Sequence, residues 1–370
     1  MAKSSGDRRP AAHPLAGADL GTLLALLGGC GGLPVRCWPA AAGMVGSALG
    51  RLPFRLGERA WVALARRGRD VETPPLFILG HWRSGTTHLT NVLAEGGFGF
   101  VDPIAAGLPW EFLTLGRWLR PLLVRMLPEG RFIDQVEVGP NSPQEDEAGL
   151  ANLVPLSYFH AIYFPRRFES WFARGLFLDG ASAREVARWE RRFRLYLWKL
   201  ACRRPDRPLL VKNPVYTARV AQLMRLYPEA RYLHIVRNPH EVFASTRAFL
   251  GKMFEALALQ PWDHVAIEEV VLATYARMMD RIIADSARIP AGRFLEVRFE
   301  TLETEPLREL ERIHESLALS GFAAARPAYR AYLDRIQRYE RAKRSFPERD
   351  LALVERHWGR FLEHWGYGRP

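Results

Sequence analysis

The chain has 370 residues, a formal net charge of +12, 48% hydrophobic and 25% charged residues. That balance excludes disordered, collagen-like and coiled-coil chains, and it supports a core that needs no metal or disulfide staple. Cys30, Cys37 and Cys202 have no CxxC spacing, which argues against a disulfide framework or zinc site and for a reducing, cytoplasmic compartment.

In chain order, residues 16–70 read as two or three apolar helices. The run Leu20–Leu27 is broken by Gly28, Gly29, Gly31, Gly32 and Pro34, so it is too short to span a bilayer. Peripheral contact with the inner membrane through residues 16–70 is the sharper alternative. Leu76-Phe77-Ile78-Leu79 is a buried strand ending at Gly80, followed by a helix over 85–95. Residues 104–127 are aromatic and apolar, with Arg117, Arg120 and Arg125 interspersed. A long helical region is expected from Pro143 to about Ala201. Strands follow at 209–211, 232–236 and 294–297, separated by helices at 215–227, from Pro239, and at 265–287. The remainder is mostly helix and ends at Trp365. Short buried strands alternating with helices predict an α/β fold with a parallel sheet covered on both faces. The expected division is a helical extension over 1–70 and an α/β domain over 71–370.

The segment Gly80-His81-Trp82-Arg83-Ser84-Gly85-Thr86-Thr87 joins the first strand to its helix. In that setting backbone N–H groups at a helix start cradle phosphate. The outline is near the Walker loop G-x-x-x-x-G-K-[ST]. Thr86 occupies the lysine position, and the cation lies earlier, at Arg83. The third strand ends in Arg237, where a carboxylate would hold magnesium in a triphosphatase. The pattern is a phosphate cradle without the magnesium machinery.

A second anion site follows the third strand. Arg237 ends it, Asn238 is a natural N-cap and Pro239 a natural first helical residue. Ser245 then lies about two turns into the helix. A strand-end arginine can bind phosphate through paired hydrogen bonds.

Together these segments resemble the sulfotransferases that use 3′-phosphoadenylyl sulfate (PAPS). The resemblance is nearest to a bacterial branch with a G-H-W-R-S-G-T-T loop and a P-Q-E-D-E segment. It covers about residues 75–320 and implies a P-loop-like three-layer fold. By this likeness Arg83, Ser84, Gly85, Thr86 and Thr87 hold the 5′-phosphosulfate, while Arg237 and Ser245 hold the 3′-phosphate. Leu209-Leu210-Val211-Lys212-Asn213-Pro214 resembles the family's strand ending in a lysine beside the transferred group, so Lys212 is expected to assist the leaving oxygen. No metal is required, because positioning with cationic and N–H stabilisation suffices for sulfuryl transfer.

A hydroxyl acceptor needs a base. Cytosolic animal members carry a histidine where this chain has Pro214. The alternative is Ser142-Pro143-Gln144-Glu145-Asp146-Glu147, where neighbouring acids can raise one another's pKa. Ser142 with Glu145 also fits a capping box, with Pro143 at the first helical position. Glu147 instead shares the apolar stripe of Leu150, Ala151, Val154 and Tyr158, so Glu147 is the first candidate base and Glu145 the second. Arg341-Ala342-Lys343-Arg344 is a weak stand-in for the late nucleotide-covering loop of animal members.

The expected activity is transfer of the PAPS sulfuryl group to a glycan, phenol or lipid hydroxyl. The rivals are an atypical P-loop kinase or NTPase and a non-catalytic nucleotide-binding protein. No nucleic-acid module is recognisable, so a nucleic-acid partner is not expected.

Overall fold

The computed structural model describes residues 13–66, 73–125, 139–336 and 346–370. The Arg341–Arg344 segment lies outside them. The chain forms two compact units. One comprises Thr73–Phe100, Arg204–Ala248 and Ala266–Pro370, and the other Met1–Glu72, Val101–Arg203 and Phe249–Val265.

The first unit holds the sheet: β1 (Leu76–Leu79), β2 (Leu210–Lys212), β3 (Arg231–Val236) and β4 (Phe294–Arg298), in the order β2-β1-β3-β4. Every pairing is parallel, with Ile78 opposite Lys212 and Leu79 opposite His234. A strand buried on both faces reads as an unbroken apolar run, and β1 is buried throughout. Its Leu76 and Ile78 join a core with Leu89, Val92, Leu310 and Ile313. Phe77 alternates to the other face, where it stacks on Tyr232 with centroids 5.7 Å apart.

Two local departures from the sequence reading occur here. The second strand begins at Leu210, because Leu209 forms an isolated bridge with Gly99. The helix expected over 215–227 is a short turn, Pro214–Ala218, followed by a helix at Val220–Leu226. The Asn213 side chain accepts the Val215 N–H and starts that turn.

The second unit is helical. It contains α1 (Leu20–Gly29), α2 (Trp38–Gly50) and α3 (Leu52–Arg66), with further helices at Glu147–Leu153, Phe159–Tyr163, Phe168–Phe177 and Ala183–Arg203. The single long helix expected from Pro143 is therefore several. Val154 and Phe164 precede prolines and leave the helical region, and Leu178 terminates another helix in the left-handed conformation. The capping box is also absent. Ser142 Oγ accepts the Gly139 N–H, the Gln144 N–H bonds Val101 O, and helix begins only at Glu147.

Buried ion pairs tie this unit together. Glu58 of α3 meets Lys199 at 2.6 Å, and Arg51 meets Glu111 at 2.7 Å. Lys199 Nζ also donates to the carbonyls of Pro109 and Trp110. Burial lowers the Lys199 pKa from its ordinary value, while Glu58 and Glu111 hold it up. Lys199→Met is therefore expected to cost about 3–5 kcal/mol by stranding Glu58. Adding Glu58→Leu should recover much of that in urea denaturation; equal losses in single and double variants would refute the coupling.

Candidate active site

β1 occupies an inner position with β2 and β3 on either side. Its carboxyl end is therefore the place where the chain's path reverses across the sheet, the usual ligand crevice of open parallel sheets. Three sequence motifs meet there. The glycine-rich turn leaves β1, Lys212 is the last residue of β2, and Arg237 follows β3.

The turn is held by its own backbone. Gly80 (φ 146) and Gly85 (φ 103) occupy the positive region that favours glycine. A Cβ on Gly80 would stand 2.7 Å from the Ile235 carbonyl, and one on Gly85 would overlap the Phe299 ring. The Gly80 N–H donates to Thr217 Oγ1 at 2.8 Å, and Ser84 Oγ donates to His81 O at 2.8 Å. Arg83 is itself left-handed (φ 70), a strained state that surrounding contacts must enforce. Helix α4 (Thr86–Glu95) starts from Gly85 with no side-chain cap. The N–H groups of its first turn have no carbonyl one turn behind them and suit an anion.

The cations converge on this turn. Arg83 Nε donates to Ser245 Oγ at 2.9 Å, and Arg237 Nη1 donates to Arg83 O at 3.3 Å. Arg237 also lies 4.8 Å above the Phe299 ring and pairs with Glu241 at 3.2 Å. Lys212 is 2% exposed and its Nζ donates to Thr87 Oγ1 at 3.0 Å. Asn238 Oδ1 accepts the His240 N–H at the start of the Pro239–Leu257 helix. Arg83, Ser84, Gly85, Thr86, Thr87, Lys212, Arg237 and Ser245 thus belong to one constellation within the α/β unit.

The acids lie in the helical unit. Glu147 is fully buried in the first turn of its helix, Asp146 is equally buried, and Glu145 is half-buried. Burial first, and then the Glu147 carboxylate, pushes the Tyr163 hydroxyl above its ordinary pKa. Asp146 likewise bears on Tyr196 after burial. The sequence pattern singles out Glu147 by its apolar neighbours; Asp146, which a helix-start role would equally explain, is buried as well. The aromatic stretch after the first α/β helix splits. Phe112 is buried, Trp118 is exposed, and Trp110 Nε1 donates to Asn152 O.

The main residue missed at the turn is Thr217, whose hydroxyl fixes the first N–H of the cradle. It sits in an irregular turn that carries no periodic signal.

His81 forms the inside of the turn. Its ring meets Trp82 and Tyr275 edge-on, at 5.2 and 5.1 Å. Burial pushes its pKa down to about 4, against the bond to the Trp82 carbonyl. The imidazole is thus neutral at pH 7 and packs the loop.

The sequence model of the Sulfotransferase family matches residues 74–324. The omega-hydroxy-beta-dihydromenaquinone-9 sulfotransferase Stf3 of Mycobacterium tuberculosis is 29% identical over 318 residues, covering 84% of this chain and 80% of that protein. The sulfotransferase STF9 from Mycobacterium avium has a similar fold, with TM-score 0.67 and 17% identity over 85% of this chain and 83% of that one. The sulfotransferase STF1 from M. tuberculosis gives TM-score 0.61 and 20% identity over 92% and 91%.

The His81 pKa has a consequence for stability. A folded value near 4, below the unfolded 6.5, means that the unfolded chain binds the extra proton between those values. The stabilisation is complete above pH 6.5 and is lost as pH falls toward 4. His81 should contribute about 1 kcal/mol to the difference in stability between pH 7.5 and 5.5, beside His13 and His160, which burial also lowers to about 4, and His81→Gln should remove its share. An unchanged pH slope in the variant would count against it.

Proposed function

The chain belongs to the sulfotransferase family, and we propose that it moves the sulfuryl group of PAPS to the hydroxyl of an apolar, lipid-like acceptor. The meeting of the two anion segments, Arg83 with Ser245 and Arg237 with the Arg83 carbonyl, carries the donor assignment. A donor bearing both a 5′-phosphosulfate and a 3′-phosphate needs two adjacent cationic sites, and the proximity of Arg83 and Arg237 supports that reading.

In this reading the α4 amides, Thr86 and Thr87 hold the 5′-phosphosulfate with Arg83. Arg237 and Ser245 hold the 3′-phosphate. Glu147 removes the acceptor proton, with Glu145 the second candidate. The acceptor oxygen then bonds to sulfur as the bond from sulfur to the bridging oxygen breaks. Lys212 steadies the negative charge that develops on that departing oxygen, and adenosine 3′,5′-bisphosphate leaves. Lys212 suits this task because its Nζ reaches the turn at Thr87 Oγ1, 3.0 Å away. The apolar acceptor class follows the relative Stf3, whose name specifies a hydroxylated dihydromenaquinone.

Calorimetric titration at fixed salt tests the donor site. The protein should bind adenosine 3′,5′-bisphosphate far more tightly than adenosine 5′-phosphate. Arg237→Ala should weaken the bisphosphate by about 1.5–3 kcal/mol and leave the monophosphate nearly unaffected. Equal losses for both ligands, or a preference for ATP with magnesium, would overturn the assignment.

Glu147→Gln tests the base. Turnover with labelled PAPS and a hydroxylated quinol should fall by about 100-fold or more, with bisphosphate affinity retained. Wild-type turnover in that variant would remove Glu147 from the mechanism.

A further inference from the structure

Large hydrophobic side chains exposed among the described residues fall in two stretches of the helical unit, 24–64 and 118–122. Single exposed leucines are ordinary, but such concentration is not. In α3 the buried positions are Glu58 and Val62. At 100° per residue, Leu56, Ala60 and Leu64 lie opposite that buried stripe, and all three are exposed, Leu64 at 68%. Phe54 and Trp61 flank this outer ridge on one side, while Arg55, Arg59 and Arg66 flank it on the other. α2 contains no charged residue, buries Met44 and Ala48, and leaves Trp38 61% exposed. Leu24 of α1 is exposed as well.

The charge of this stretch has one sign. The only acid between residues 20 and 66 is Glu58, and it is buried against Lys199. Arg36 and Arg59 are exposed. Beside α3 lies a cavity of about 50 Å3 whose wall includes Arg55, Arg59, Trp110 and Arg192. The Arg192 guanidinium stacks 4.6 Å over Trp110. Burial lowers its pKa, Asp19 opposes that, and Arg188, Arg59 and Arg191 add to the lowering. Asp19 also pairs with Arg55 at 3.3 Å, so one carboxylate acts on both Arg55 and Arg192.

We propose that α1–α3 form a face that seats on an anionic phospholipid bilayer. The Leu56–Leu64 ridge, Trp38 and Trp61 enter the acyl boundary, and the arginine cluster meets headgroup phosphates. Aromatic rings and arginines around an apolar ridge match the layered polarity of that boundary. No helix among the described residues is long and apolar enough to cross a membrane, so the face lies along the bilayer. A second copy is the poorer occupant, because two such faces would bring like charges together.

Vesicle flotation of the full chain without nucleotide tests it. Binding is expected to phosphatidylglycerol-containing vesicles, to be weaker on phosphatidylcholine alone, and to fall with added salt. Leu56→Glu with Leu64→Glu should weaken binding by about tenfold or more while leaving bisphosphate affinity and the circular dichroism spectrum unchanged. Arg59→Gln with Arg192→Gln should reduce the preference for anionic lipid. Undiminished binding in the leucine variant, or no binding by the wild type, would overturn the proposal. So would a dimer in light scattering that the leucine variant dissolves, since that would assign the face to a second copy.

Discussion

The parallel pairing of β1 with β2 on one side and β3 on the other is the constraint on which the site depends. The register sets Ile78 against Lys212 and Leu79 against His234, so the three strands end within about three residues of one another. Three chain segments far apart in sequence are thereby delivered to one edge. A strand end is a rigid support, and a helix start just beyond it supplies directed amides without side-chain entropy. The cradle needs little more than glycine where the chain must turn sharply and hydroxyls to fix the turn. Gly85 is enforced from outside, by the Phe299 ring, and that same ring faces the Arg237 guanidinium. One aromatic side chain thus constrains both turns.

Electrostatics then separates the two units by task. Around the cradle, Lys212, Arg83 and Arg237 are arranged on hydroxyl and carbonyl oxygens; Arg237 additionally pairs with Glu241. In the helical unit the buried cations lie against carboxylates, Arg51 against Glu111 and Lys199 against Glu58. Those pairs fix helix positions and consume the charge they contain.

The fold was legible where the signal was local. β1, β3 and β4, the Thr86 helix start and the Pro239 helix follow from apolar runs bounded by glycine, asparagine and proline, and those features decide backbone conformation within a few residues. The strand-to-helix turns at 80–87 and at 237–239 were likewise readable, because the glycine, asparagine and proline residues that shape them are local signals. The order of the strands was not readable, since four similar apolar runs carry no label for their neighbours. The 143–201 region misled for a different reason: its composition favours helix throughout, yet Pro155 and Pro165 reset the backbone, and Gln144 spends its N–H on Val101. Thr217 escaped because its role is a single long-range hydrogen bond.

α3 shows an inversion that local propensity does not explain. Its inward side presents Glu58 to a buried lysine, and its outward side presents Leu56 and Leu64 to the exterior. A helix selected for water alone would place these groups the other way round, since exposing leucine forfeits the burial free energy and burying a carboxylate requires a partner. The Glu58–Lys199 pair removes the second objection, because it fixes the rotation of α3 about its axis and turns the leucines outward. The first objection is lifted when the outer side meets an apolar phase. The buried pair and the apolar ridge are then two parts of one device: a charged latch inside sets the face that the helix offers outside.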